Sequence, residues 1–277
     1  MHNIGKGQFR QMPALKSETH TLANRHDEEM GVVLIYPDDT PKGMAVLQHG
    51  LAGSRDHPLM QALAGTFAEA GYTVVNMDAT NSLNTSEGEL KDFTIKRHYE
   101  DLEDCLEWAA EQSFYKAPYS VAGHSLGGFS VLHHAAHYPV LTSAAIAIAP
   151  VTSGVNLLNA WREYSPEEYE QWRREGYLEK VSLADPSRTG HVPWEAWKEW
   201  LLHTLYPIAP DMIMPTFFIH ASDDVRIPPD HLERFITHVP EPKTYEVLEE
   251  GGHSFEDIEA RKALLDKIAA WLQPDKE

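Results

Sequence analysis

Cysteine is almost absent: one residue, Cys105, in a chain of 277. That excludes an intramolecular disulfide and suits a reducing compartment. Leu102, Leu106 and Ala109 flank Cys105 at helical spacing, so the thiol reads as part of a helix's apolar face and not as a nucleophile. Long apolar runs are missing too. None approaches the length of a membrane span, and residues 1–10 lack the apolar segment of a secretory signal, so the expected location is cytoplasmic, with no membrane partner. Positive charge is scarce: 23 Lys and Arg stand against 42 Asp and Glu, a formal charge of −19. Phosphate backbones require clustered lysine and arginine, so nucleic acid is not an expected partner. Acidic membrane surfaces and polyanionic substrates are disfavoured as well, and the charge serves solubility. The chain has no clustered Cys/His spacing, no P-loop-type glycine run and no internal repeat. Neither a metal nor an organic cofactor is signalled.

What the chain does have is an alternation of apolar strands and amphipathic helices. A hairpin is expected over 17–36, through 19–22 and 32–36, followed by strands at 45–48, 72–77, 119–122, 144–149, 216–220 and 244–248. Helices are expected at 58–70, 98–112, 127–137, 229–238 and 256–272. This is the rhythm of a mostly parallel sheet, with ligands bound at the carboxyl ends of its strands. A single folding unit over 1–277 is expected, with a core of 17–150 and 211–277.

The rhythm breaks over 151–210, which reads as a helical, polar, tryptophan-rich lid. Five of the seven tryptophans lie there, namely Trp161, Trp172, Trp194, Trp197 and Trp200. Spacing of three puts Trp194, Trp197 and Trp200 on one helix face. Such a stripe most simply packs the lid onto the core, while Trp161 and Trp197 are the candidates to line an apolar acyl or aryl pocket. The run 167–170, with three glutamates, and the pair Arg173-Arg174 read as a solvated helix face.

Chemistry enters with Gly123-His124-Ser125-Leu126-Gly127, between an expected strand and an expected helix. This is the context of a nucleophile elbow, in which a strained turn presents Ser125 Oγ above a helix N-terminus. The two glycines remove Cβ atoms that would clash at such a turn. An oxyanion needs two convergent backbone donors; these are assigned to Leu126 N–H and to Leu51 N–H, in the His49-Gly50-Leu51-Ala52-Gly53 turn after the strand 44–48. His49 can be read as a base, but it precedes the serine and fits better as a support of that loop. After the strand 215–220, Asp223 and Asp224 compete as the acid. The pattern Asp224-Val225-Arg226-Ile227-Pro228 favours Asp224, with Asp223 bracing the turn. Of sixteen histidines, His253 is selected as the base by its place in the glycine-flanked loop after the last strand.

The order Ser125, Asp224, His253 differs from that of chymotrypsin-like and subtilisin-like proteases. With His49-Gly50, the elbow and Gly252-His253, it makes the chain resemble an α/β-hydrolase-fold serine esterase over nearly its whole length. In layout it is most similar to the lidded carboxylesterases that include cinnamoyl and feruloyl esterases. The resemblance implies a mostly parallel eight-stranded sheet flanked by helices, with a helical lid insertion. It also implies a serine carboxylesterase acting on small to medium apolar or aryl esters through an acyl-enzyme, with a small-molecule ester as partner. A homodimer is allowed; oligomeric state is not given. One departure concerns the loop after the fourth strand, where many members have Gly-His-Gly and this chain has a longer polar loop over 78–88, leaving substrate class open. A thioesterase or peptidase would use the same three residues. Dehalogenases and epoxide hydrolases place aspartate at the elbow, and a non-catalytic binding protein on this scaffold remains an alternative.

Overall fold

A computed structural model describes residues 15–273; residues 1–10, on which the reading of a missing leader rests, lie outside that range. In chain order the strands are β1 (Ser17–Ala23), β2 (Glu29–Ile35), β3 (Gly43–Gln48), β4 (Tyr72–Met77), β5 (Tyr119–His124), β6 (Thr142–Ile148), β7 (Tyr177–Val181), β8 (Thr189–Pro193), β9 (Thr216–Ala221) and β10 (Lys243–Leu248). The helices are α1 (Pro58–Glu69), α2 (Ile95–Ala110), α3 (Leu126–His137), α4 (Gly154–Tyr164), α5 (Pro166–Glu175), α6 (Ala196–Trp200), α7 (Pro229–Ile236) and α8 (Ile258–Leu272).

Eight strands form one sheet in the order β1-β2-β4-β3-β5-β6-β9-β10. The β1–β2 and β2–β4 pairs are antiparallel and the remainder parallel. The central strands are apolar on both faces because helices cover both. Alternate residues divide between two cores: Met44 and Val46 join Leu102, Cys105, Leu132 and Phe235 on the α2, α3 and α7 side, while Ala45 and Leu47 join Leu63, Phe67, Leu264 and Ile268 on the α1 and α8 side. Cys105 is fully buried, and burial pushes its thiol pKa far up, leaving no thiolate to act as a nucleophile.

Parallel strands carry their loops to one edge, and the close approaches there demand glycine. A Cβ on Gly127 would fall against the carbonyl oxygens of Gln48 and His49, and one on Gly123 against the backbone of Gly127. In both cases the obstacle is backbone, which has no rotamer to yield. Gly127→Ala is expected to cost more than about 3 kcal/mol of stability. A urea titration checks it, and a midpoint unchanged from wild type would contradict the packing described.

The segment between β6 and β9 departs from the expectation of a wholly helical insertion. It contains α4, α5 and α6, but also the separate antiparallel hairpin of β7 and β8. Gly176, in the left-handed conformation at φ 80°, ends α5 and turns the chain into β7. Around this hairpin the tryptophans pack on each other: Trp172 lies 5.0 Å from both Trp161 and Trp194 and 5.7 Å from Trp200. Trp172 Nε1–H donates to Val192 O at 3.0 Å. Glu199 of α6 accepts from the first N–H groups of α2, Ile95 at 3.0 Å and Lys96 at 3.2 Å, which moors the insertion to the core at a helix N-terminus.

Many histidines are buried neutral. Burial lowers the pKa of His57 to about 4, of His133 to about 3 and of His134 to about 4. A histidine whose folded pKa is depressed contributes stability above its unfolded value near 6.5, and that contribution drains away as pH falls toward the folded value. Asp101 acts oppositely, since burial raises it to about 6; its neutral form favours the fold as pH falls through the same range. The depressed histidines, with His49, His98, His124 and His231 among them, outnumber the two buried aspartates raised in this way, Asp101 and Asp78. The melting temperature is therefore expected to fall steadily from pH 6.5 to pH 4.5, and a maximum near pH 5 by calorimetry would contradict this balance.

Candidate active site

Ser125 sits between β5 and α3 at φ 57°, ψ −119°, a region L-residues avoid. The fold over-determines it. Ser125 N–H donates to Ile148 O at 2.9 Å, and Ser125 O accepts from Phe129 and Val151, each at 3.1 Å. Gly50 makes room on the other side, where a Cβ would lie 2.9 Å from the serine's own Cβ.

His253 follows Gly252, which is at φ 55°, in the loop after β10. Its Nδ1 lies 2.8 Å from Asp224 Oδ2 and its Nε2 2.9 Å from Ser125 Oγ. An ionised carboxylate only accepts, so Nδ1 carries the proton and Nε2 is left to accept the serine O–H. Asp224, in the loop after β9, is buried and uses both oxygens. Oδ1 accepts Arg226 N–H at 2.8 Å and Ile227 N–H at 3.0 Å, and besides His253 Oδ2 accepts, at 3.1 Å, a His220 Nε2–H that is shared with Ile227 O at 2.7 Å. Burial acts to raise this carboxyl, but the hydrogen bonds from His220 and His253 and the backbone donors win and hold it well below the ordinary range. Asp223 Oδ1 accepts Gly252 N–H at 2.8 Å, tying the two loops together.

His49 does not touch this chain of bonds. Its Nδ1–H donates to Gly50 O at 2.8 Å and its Nε2 accepts Ala79 N–H at 3.1 Å. Burial lowers its pKa, and the neutral ring pins the Gly50-Leu51 turn to the loop after β4. Asp78 holds that loop from beneath, accepting Arg55 N–H and Asn84 Nδ2–H, each at 2.7 Å. His124 donates Nε2–H to His253 O at 2.7 Å, so the residue before the serine fixes the backbone of the histidine.

Ser125, His253, Leu51 and Leu126 line one cavity of about 350 Å³, together with Leu157 and Trp161. Leu126 opens α3, and a first-turn N–H has no acceptor within its own helix. Trp197 is a correction. It does not line this cavity; its ring packs 6.1 Å from Trp194, and α6 begins only at Ala196, so the three spaced tryptophans do not form one helical face. Glu168 is a second correction to the solvated-face reading. It turns into the cavity, accepting Lys180 Nζ at 3.0 Å and Trp161 Nε1–H at 2.9 Å. His220 was also missed. Its only sequence signal is a polar ring at the end of a buried strand, four residues before Asp224.

Among the described residues no group of three or more His, Cys, Asp or Glu could hold a metal ion, and no helix is long and apolar enough to cross a membrane. Fold and site together define an α/β hydrolase. The match to the family model described as serine aminopeptidase, S33, spans residues 39–257, and the chain belongs to that family of hydrolases. No curated protein matches it in sequence. Among solved structures it resembles the α/β hydrolase GrgF from Penicillium sp. sh18, at a TM-score of 0.73 and 19% identity over 94% of this chain and 99% of that one. Est1E from Butyrivibrio proteoclasticus with ferulic acid bound gives 0.70 and 16% over 90% and 96%. Mouse alpha/beta hydrolase domain-containing protein 10 gives 0.72 and 18% over 93% and 99%.

Proposed function

We propose that the protein is a serine carboxylesterase that cleaves small to medium apolar or aryl esters through an acyl-enzyme. The observation that carries this reading is the unbroken hydrogen-bonded series from Ser125 Oγ through the His253 ring to Asp224, open to a cavity. In this reading His253 Nε2 takes the proton of Ser125 as Oγ attacks the ester carbonyl, and Leu51 and Leu126 N–H groups stabilise the oxyanion. Asp224 keeps the imidazole in the productive tautomer and stabilises the imidazolium. His253 then protonates the leaving alcohol, and water, activated by the same nitrogen, releases the acid.

The segment 151–210 acts as the lid, with Trp161 and Leu157 forming the apolar wall of the pocket. A cavity near 350 Å³ is at the small end for ligand sites and favours short acyl chains or one aromatic ring. A likeness to a ferulic acid complex is in keeping with an aryl substrate. The family's description names an aminopeptidase, which would have to neutralise a terminal ammonium. Of the carboxylates that border the cavity, Glu168 already has Lys180 on it and Glu179 and Glu256 are exposed, so an ester suits the pocket better.

The experiment is a side-by-side comparison of p-nitrophenyl esters of increasing acyl length, a matched thioester and an aminoacyl amide. Turnover of esters with an optimum at short or aryl acyl groups is the expected result. Amide turnover exceeding ester turnover would replace this reading with a peptidase.

A further inference from the structure

The cavity has one wall that an apolar acyl group does not explain. Glu168 of α5, Lys180 of β7 and Arg226 of the loop after β9 meet there, and all three line the same space as Ser125. Donors and acceptors on this wall do not balance. Glu168 takes hydrogen bonds from Lys180 at 3.0 Å and from Trp161 at 2.9 Å, and Arg226 Nη1 lies 3.9 Å away. Burial acts to raise the Glu168 pKa, yet Lys180, Arg226 and the Trp161 N–H hold it below its ordinary value. That carboxylate is fully supplied.

Lys180 is not. Among the described residues Glu168 is the hydrogen-bond partner of its ammonium, which lies 5.3 Å over the Trp161 ring with its side chain 15% exposed. An ammonium carries three donors, so two remain for the cavity. Burial lowers the Lys180 pKa in spite of Glu168, the behaviour of a desolvated cation that one carboxylate does not offset. Glu179, Glu256 and Arg226 also border the cavity but are exposed, where water screens them, so the desolvated charge on this wall is Lys180.

Resting on the esterase reading, and replacing its apolar acyl chain with one that ends in a carboxylate, we propose that Lys180, flanked by Arg226, is a subsite for a carboxylate on the acyl half of the substrate, so that the favoured esters are half-esters of short dicarboxylic acids. The acyl half stays bound to Ser125 through both chemical steps. A contact to it aids acylation and deacylation alike, whereas a contact to the leaving half would retain the product alcohol.

The test compares monomethyl succinate, glutarate and adipate with methyl butyrate, valerate and hexanoate, pairs of equal chain length, with acid release followed by titration at low salt. The expected kcat/KM ratio favours the carboxylate member of the best pair by about tenfold or more, as one charge-assisted hydrogen bond to a mostly buried ammonium would give. Lys180→Met brings that ratio to near unity and Arg226→Gln lowers it by a smaller factor. Calorimetric titration of Ser125→Ala with glutarate and adipate supplies a readout without turnover: binding is expected, and its loss in Ser125→Ala/Lys180→Met. Lys180→Gln, which keeps a hydrogen bond to Glu168, separates loss of charge from loss of fold. Equal rates within every pair, or dicarboxylate binding unaffected by Lys180→Met, overturns the subsite. Failure of the esterase reading looks different: no ester is hydrolysed, neutral ones included, and the calorimetry alone then decides the subsite.

Discussion

Ser125→Ala is expected to lower ester turnover by about 10⁴- to 10⁶-fold, the range seen when the nucleophile of a hydrogen-bonded catalytic series is removed. The fold should survive. The elbow is held through the serine's backbone, by Ile148, Phe129 and Val151, and alanine presents the same Cβ at φ 57°. Only the hydroxyl's hydrogen bond to His253 is lost, and a neutral bond of that kind contributes about 1 kcal/mol. The melting temperature should therefore stay within a few degrees of wild type. Retention of even a tenth of the activity would show that another group attacks the ester.

Asp224→Asn should cost about 10⁴-fold in kcat, through the tautomer of one ring. Asp224 accepts four hydrogen bonds, two from backbone N–H groups on Oδ1 and two from histidines on Oδ2. An asparagine must place its NH₂ on one side or the other. Facing the loop, it opposes Arg226 N–H and Ile227 N–H. Facing the histidines, it forces His253 to accept at Nδ1 and carry its proton on Nε2, where it can no longer take one from Ser125. The variant should unfold somewhat sooner than wild type yet remain folded at 25 °C, which near-ultraviolet circular dichroism checks beside the rate. A loss smaller than about tenfold would mean that Asp224 does not set the ring's tautomer. Because the wild-type carboxyl is held below its ordinary range, it stays ionised through the pH range where free carboxylates titrate.

The strands and helices of the core were legible because each carries its own signal. Val46, Val75, Val121 and Ile146 sit in runs that only a two-faced buried strand explains, and turn residues punctuate them. Ser125, Asp224 and His253 were legible as candidates because each stands at the carboxyl end of such a run. The insertion was less so. The less exposed positions of β7 are Leu178 and Lys180 and those of β8 include Gly190 and Val192, so one inward position of each strand carries no apolar side chain, the sequence lacks the apolar alternation that marks a strand, and Gly190 and Pro193 argue against one. Trp161 and Trp197 look alike in sequence; which one faces the cavity depends on α6 starting as late as Ala196. Glu168 was hidden for the opposite reason. It lies in a charged run, and its inward turn depends on Lys180, twelve residues away on a different element. His220 could be placed on Asp224 only once β9 was known to end at Ala221, bringing the ring back over the loop.

The most direct measurement is covalent labelling of the wild-type protein with a fluorophosphonate, followed by peptide mass spectrometry. The account predicts a single adduct on Ser125, absent in Ser125→Ala and formed far more slowly in Asp224→Asn. An adduct on another residue, or none with the protein folded, would contradict it.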